Sequence, residues 1–419
     1  MSIPGQTMGV SVFTDALIEH TGLSRLGLAN AYLAGTLTSG LLLPFGGTLL
    51  DRWGARVLVV LSSLGLGLTL VLLSQIDRVI QVLGGAESVA FVALALSFVL
   101  LRFSGQGMLT MVSRTMLGKW FDRRRGLVAG ISGLFIAFGF AGAPLVLSWG
   151  IDLAGFRGAW LGLALIVGLG MSVVGWLFYR DSPEVCGLRM DGDAEQTADE
   201  SRARGRSPAA EEPDLTRRQA VSQRAFWSVT LALAFQGLLI TAITFHIVDL
   251  GALAGLDRAR VVTLFLPMAG ISTATGFLAG WAADRLPMRA LLVVMMLAQG
   301  LGVASAAWIG EPSFFWLAAL GLGVSGGLFG PISTVALPRF FGRLHLGSIA
   351  GVQMMAIVIG SALGPSLLAV SKSISGGYAD GLFVGCVLPV VGLILALLTK
   401  DPRPPPLTLA GQPRNAEHR

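Results

Sequence analysis

The sequence predicts an all-α integral membrane protein of twelve spans, arranged as two similar six-helix halves. Three observations predict this class. Of 419 residues, 53% are hydrophobic and only 13% are charged, whereas a water-soluble chain carries about 25% charged residues. Mean hydropathy is +0.73, and apolar runs recur near the roughly 20 residues that cross a bilayer as a helix. One loop motif also occurs twice, at the same place in each half. Soluble enzymes and nucleic-acid-binding proteins are thereby excluded. The net charge of +6 is instead the Lys and Arg excess that membrane proteins keep in cytoplasmic loops.

Taken in order, the apolar runs fall at 28–50, 57–76, 88–117, 127–149, 158–179, 225–250, 261–283, 290–309, 313–337, 347–371 and 380–399, each bounded by charged residues. Ahead of them, 2–18 is short for a span and carries Gln6, Thr7, Ser11, Thr14 and Asp15. It reads as an amphipathic stub or, in the favoured reading, as the outer half of a truncated first span. Six spans, this one included, then precede the polar stretch 181–224 and six follow it. Alternating Asp, Glu and Arg with few aromatics predict disorder in that stretch. The expected organisation is an N-terminal bundle at 1–180, a linker at 181–224, a C-terminal bundle at 225–400 and a Pro-rich tail at 401–419.

Arg52, Arg56, Lys119, Arg123, Arg124, Arg125, Arg285, Arg289, Arg339 and Arg343 occupy alternate loops together with the linker arginines. The other loops hold Arg25, Arg78, Arg157, Arg258, Arg260 and Lys372. By the positive-inside rule, linker and tail face the cytoplasm, in a multi-pass protein of the cytoplasmic (inner) membrane.

The duplicated motif is Gly47-Thr-Leu-Leu-Asp51-Arg52-Trp-Gly54-Ala-Arg56 after the second span of the first half, and Gly280-Trp-Ala-Ala-Asp284-Arg285-Leu-Pro-Met-Arg289 after the second span of the second. A second matched pair of loops, Trp120 to Gly126 and Arg339 to Gly347, joins spans four and five of each half. Parallel repeats of this kind place a substrate site near the midplane, between the halves. On these motifs the chain resembles the major facilitator superfamily (MFS) of transporters over essentially its whole length. Arg102-Phe-Ser-Gly-Gln106-Gly107 and the two matched loops resemble its monocarboxylate and oxalate/formate porter branch. The resemblance implies the MFS fold of two pseudo-symmetric six-helix bundles. It also implies a conformational latch at Gly47, Asp51, Arg52, Gly54, Arg56, Gly280, Asp284, Arg285 and Arg289. In that branch basic residues in later spans help hold a carboxylate, yet spans eight and eleven here carry no mid-membrane Lys or Arg.

Arg102 stands halfway along an apolar span, where a lone charge costs several kcal/mol unless it meets water or a partner. Gln106, Thr110 and Ser113 follow at helical spacing and extend a polar stripe. Arg102 is therefore the leading substrate contact, as a guanidinium fork for an anion; pairing with backbone carbonyls is the competing reading. Gln6, Thr7, Gln236, Thr244, His246 and Gln353 are the other candidate substrate contacts. His246 and Asp249, three residues apart, could pair, which makes a proton a candidate coupling ion. No G-x-x-x-x-G-K-[ST] loop and no Cys/His cluster occurs, so no cofactor, metal or enzymatic activity is expected. The expected function is secondary transport of a small organic anion by a monomer, with a drug/proton antiporter or a non-transporting sensor on the same scaffold as alternatives.

Overall fold

The computed structural model describes residues 2–192 and 214–399, and no strand occurs among them. Of the stretch 181–224 expected to be disordered, 193–213 lies outside the described residues, as does the tail at 401–419, while its described ends form 3-10 turns at Glu184–Cys186 and Met190–Gly192 and a short helix at Arg217–Val221. The chain opens with a 3-10 turn at Ile3–Gly5, α1 (Thr7–Val12) and α2 (Thr14–Thr21). Nine long apolar helices follow among the described residues: α3 (Arg25–Ser74), α4 (Glu87–Trp120), α5 (Arg125–Phe178), α6 (Arg224–Leu253), α7 (Arg258–Ala283), α8 (Met288–Ala306), α9 (Pro312–Phe341), α10 (Leu346–Ser375) and α11 (Ala379–Leu398).

The two longest, α3 and α5, each contain two of the apolar runs. Each is broken at one glycine: Gly54 at φ 80°, ψ 166° in α3 and Gly155 at φ 68°, ψ 175° in α5. That region of backbone space belongs almost solely to glycine. At Gly54 a Cβ would also lie 2.4 Å from the Asp181 carboxylate oxygens, whereas at Gly155 it would meet nothing within 4 Å. Gly54→Ala should therefore lower the melting temperature of the purified protein more than Gly155→Ala. Strain alone costs on the order of 1–3 kcal/mol, and only Gly54 adds a clash. Equal shifts for the two variants would show that the Asp181 contact is unimportant.

Residues 3–21, expected as an amphipathic stub or a truncated first span, form a 3-10 turn and two short α-helices. They are held by packing. Phe13 and Leu17 are fully buried, and the Phe13 ring stacks on Trp160 at 3.8 Å. The outer faces of the long helices carry exposed Phe135, Phe138, Leu145 and Val384, which suits a lipid solvent. Inside, small residues let backbones approach, the usual basis of helix association where lipid removes the hydrophobic drive.

The loops rich in Arg and Lys gather at one end of the bundle, called the basic end below. There the two halves touch most closely. A Cβ on Gly47 would come within 2.2 Å of the Gly347 carbonyl, and one on Gly126 within 2.1 Å of the Gly280 carbonyl. These two crossings, α3 on α10 and α5 on α7, relate to each other as the two halves do.

Candidate functional site

At each crossing a carboxylate ends one helix and caps another in the opposite half. Asp51 accepts from the amides of Gly347 and Ser348, both at 2.7 Å, in the first turn of α10. Asp284 accepts from Gly126 at 2.6 Å and Leu127 at 2.9 Å, in the first turn of α5. A helix N-terminus offers unpaired amides and the positive end of the macrodipole, so each carboxylate makes two charge-assisted bonds. Burial pushes the Asp284 carboxyl above its ordinary range, against the downward pull of the Gly126 and Leu127 amides and Arg285.

The arginines of the two motifs differ. Arg56 reaches across to α5, donating from Nε to the Trp176 carbonyl at 2.7 Å and lying 4.2 Å over the Trp176 ring. Arg285 folds back on its own helix, to the carbonyl and ring of Trp281. Arg52 and Arg289 are exposed.

The linker ends add contacts that no sequence motif displays. The Asp191 carboxylate accepts from the amides of Asp122, Arg123 and Arg124, at 3.3, 2.9 and 3.3 Å. Asp214 accepts from Arg343 and Leu344 at 2.9 and 3.0 Å. Each of the two matched loops thus holds one linker carboxylate. Arg343 also donates to the Lys119 carbonyl at 3.0 Å and to Glu184 at 3.1 Å. Burial opposes charge on Glu184, but hydrogen bonds from Ser182, its own backbone and Arg343 hold its carboxyl below the ordinary range.

A depressed carboxyl contributes stability above its unfolded value and loses that contribution as pH falls through the folded one. Acidification below about 4.5, the ordinary carboxyl value, should therefore weaken the basic-end closure. Glu184→Gln should flatten that part of the response, read as a spin-label distance between α3 and α10. An unchanged acid response in the variant would remove Glu184 from the closure.

Among the described residues, the hydrogen bonds that join the halves all lie at this end. Just inside the closure, a small cavity of about 20 Å³ lies between the halves. Met111, Arg114 and Thr115 of α4 line one side; Ser333, Thr334 and Leu337 of α9 and Gln353 and Met354 of α10 line the other. A larger apolar groove of about 390 Å³ runs past Leu68 and Leu165. Both of those residues are exposed on the outer face, so that groove belongs to the lipid boundary.

Arg114 is the cavity's only charged lining residue among the described residues. Its guanidinium lies 5.3 Å over the Phe329 ring of the opposite half. No carboxylate or hydrogen-bond partner faces it among the described residues. The Gln353 amide nitrogen and the Thr115 hydroxyl are buried there without partners as well. Ser333 and Thr334 spend their hydrogens on the Gly330 carbonyl, leaving oxygen lone pairs. The unspent groups are thus donors around a cation, with acceptors beside them. Such a set fits a carboxylate bearing a nearby hydroxyl or similar donor.

The other candidates are placed elsewhere. Arg102 is 2% exposed and donates to the Gly5 carbonyl at 3.1 Å and Thr7 Oγ1 at 3.4 Å, with Tyr32 beneath it. Thr7 accepts in turn from the Tyr32 hydroxyl at 2.9 Å. Gln6 reaches Ser2 and Thr110, and Gln106 is half-buried with its amide oxygen unpartnered. This cluster joins the chain's first turns to α4 within the N-terminal half. Gln236 is buried near Gly326 of α9. Thr244 donates to its own helix at Ile240. His246 sits far from the cavity, near the end opposite the basic one.

Sequence reasoning missed Arg114 for a specific reason. Residues Arg102–Leu109 form a π-helical stretch, which has more residues per turn than an α-helix. A polar face extrapolated across it at 3.6 residues per turn drifts. Ser113, expected on that face, is exposed, while Arg114 and Thr115 line the cavity. The spacing Gln106, Thr110, Arg114 was the available signal.

Two bundles of apolar helices, crossing through matched glycines with a cavity at their interface, have the architecture of a membrane transporter. The family model of the Major Facilitator Superfamily matches residues 2–365, and the chain belongs to that superfamily. Mouse monocarboxylate transporter 11 is 29% identical over 365 residues, covering 81% of this chain and 71% of the mouse protein. Among solved structures, the chain resembles the proton:xylose symporter XylE bound to 6-bromo-6-deoxy-D-glucose, at a TM-score of 0.66 and 14% identity over 94% of this chain and 91% of that one. It also resembles a bacterial homologue of the iron transporter ferroportin in its outward-facing state, at a TM-score of 0.66 and 16% identity over 94% and 96%.

Proposed function

We propose that this MFS member is a secondary active transporter that moves a small organic anion by alternating access. The observation that carries the reading is Arg114, a cation set at the interface of the halves with unspent donors around it and no acidic side chain. A charge so placed is expensive in a membrane unless a counter-ion visits it. The mouse relative is named a monocarboxylate transporter, which agrees with this class.

The bundles at 1–180 and 225–400 act as the two rocking units, joined by the linker at 181–224. The basic end faces the cytoplasm, following the positive-inside rule, so the linker and the tail at 401–419 lie there too. The protein works as a monomer in the cytoplasmic membrane. Asp51 and Asp284 act as the latch that keeps the cytoplasmic side shut, and opening requires both carboxylates to leave their helix ends together. Arg102 anchors the first turns of the chain to α4, and substrate meets Arg114 instead.

Reconstituted protein tests the reading. Vesicles preloaded with unlabelled pyruvate or lactate should take up the labelled anion by exchange, above the level of protein-free vesicles. Exchange of neither anion, together with uptake of a cationic amphiphile against a proton gradient, would replace it with the drug/proton antiporter.

A further inference from the structure

Near the end opposite the basic one, α6 and α10 are tied at two successive turns. Pro365 has no amide to offer the Ser361 carbonyl, and Thr241 Oγ1 donates to that carbonyl instead, at 2.9 Å. One turn further on, His246 Nε2 stands 2.9 Å from the Pro365 carbonyl, and its Nδ1 stands 3.1 Å from the Tyr378 hydroxyl. Tyr378 also donates to Asp249, and Lys372 of α10 pairs with the same carboxylate oxygen.

Counting hydrogens decides what His246 holds. A carbonyl only accepts, so Nε2 must carry a hydrogen. Tyr378 has one hydrogen and gives it to Asp249; its hydroxyl is pushed above the ordinary range by burial and by that bond to Asp249, so the hydrogen stays. Toward His246 the tyrosine oxygen is then an acceptor, and Nδ1 must carry a hydrogen too. All three contacts are satisfied together only by an imidazolium. Withdraw one proton, and Tyr378 must choose between Asp249 and His246.

We infer that His246 is a proton-binding site, doubly protonated in this basic-end-closed conformation, whose proton fastens α6 to α10 beside Pro365. The charged and titratable groups around it are Asp249 on its own helix, Lys372 on α10 and Tyr378 at the start of α11. From the segment 258–262, Arg260 lies over Phe315 instead. Asp249 and Lys372 are partly exposed, so protons can reach the cluster from the end opposite the basic one. One carboxylate faces two cations, and the surplus positive charge favours arrival of an anion from the same side. Helix α10 also carries Gln353 of the cavity, which links the proton to the anion site. That use rests on the carrier reading, whereas the protonation state does not.

Nitrogen-15 NMR of the full-length protein in lipid nanodiscs, labelled at histidine, reads that state without any transport. At about pH 7, near the range where histidine ordinarily changes charge, one ring should show hydrogen on both nitrogens. His246→Gln should remove that signal, and Asp249→Leu, which leaves no acceptor for the Tyr378 hydroxyl, should convert the ring to the one-hydrogen form by releasing Tyr378 to donate to Nδ1. If His246→Gln does not fold, Tyr378→Phe assigns the ring through a change at Nδ1. A His246 ring with hydrogen on Nε2 alone, unchanged by Asp249→Leu, would overturn the inference. Anion exchange persisting alongside that result would leave the carrier reading intact and remove only the proton site.

Discussion

Arg114→Ala should abolish the proposed anion exchange in reconstituted vesicles while leaving the folded bundle in place. Arg114 makes no ion pair within the protein among the described residues, so its removal leaves no carboxylate stranded. Its packing loss is confined to the stem and to the contact with Phe329. A hydrogen bond to a charged group is worth about 1.5–3 kcal/mol, and a guanidinium can give two to one carboxylate. Substrate affinity should therefore fall by roughly 10² or more, since about 1.4 kcal/mol is tenfold. Arg114→Lys keeps the charge but loses the fork and should retain a minor fraction of the activity. Arg102→Ala contrasts with it. Because that guanidinium bonds to Gly5 and Thr7, its loss should lower the melting temperature and loosen the first turns, with the affinity of the remaining folded protein close to wild type. Equal affinity losses in both variants would place Arg102 on the substrate path as well.

The second large effect belongs to the paired carboxylates. Asp51→Asn and Asp284→Asn each keep the side chain's shape but remove the charge that meets a helix N-terminus. Asp51→Asn should cost the closed state about 1–2 kcal/mol, shifting the balance toward the form open at the basic end by roughly tenfold; Asp284→Asn should cost it less, because burial already holds that carboxyl above its ordinary range. The two sites lie at separate crossings, so their effects should add in the double variant. Labelling of a cysteine placed beside the cavity with a membrane-impermeant thiol reagent, applied from the basic side, measures the shift. Two singles that label faster, and a double that labels at about the product of their rate gains, are expected. No change in either single variant would mean that the glycine crossings alone hold the closure.

The membrane-spanning runs were legible because hydropathy needs no tertiary information. The two carboxylates of the repeated motif could also be marked, since duplication exposes them against a varying background. Their partners could not, because backbone amides 296 and 158 residues away carry no side-chain signal. The same limit hid the linker anchors: Asp191 and Asp214 look like ordinary solvated charges until the loops they cap are seen. Arg114 was obscured by the π-helical stretch before it and by the run of basic loop residues after it, which made it read as interfacial. Arg102 was conspicuous as a mid-span charge, yet its main partner is the Gly5 carbonyl. His246 and Asp249 were recognised as neighbours, but the groups that join them, Tyr378 and Lys372, come from loop ends more than 120 residues on. Non-local polar contacts were thus the part that sequence pattern did not reach.

The most direct test of the anion site is a thermal-shift comparison of wild type and Arg114→Ala in detergent, with lactate, pyruvate and succinate set against cationic amphiphiles. A ligand that binds only the folded state stabilises it by about 2.7 kcal/mol at a hundred times its dissociation constant. At least one carboxylate should raise the melting temperature of wild type by a few degrees and leave Arg114→Ala unmoved. Amphiphiles stabilising both proteins alike, with no response to any carboxylate, would contradict the account.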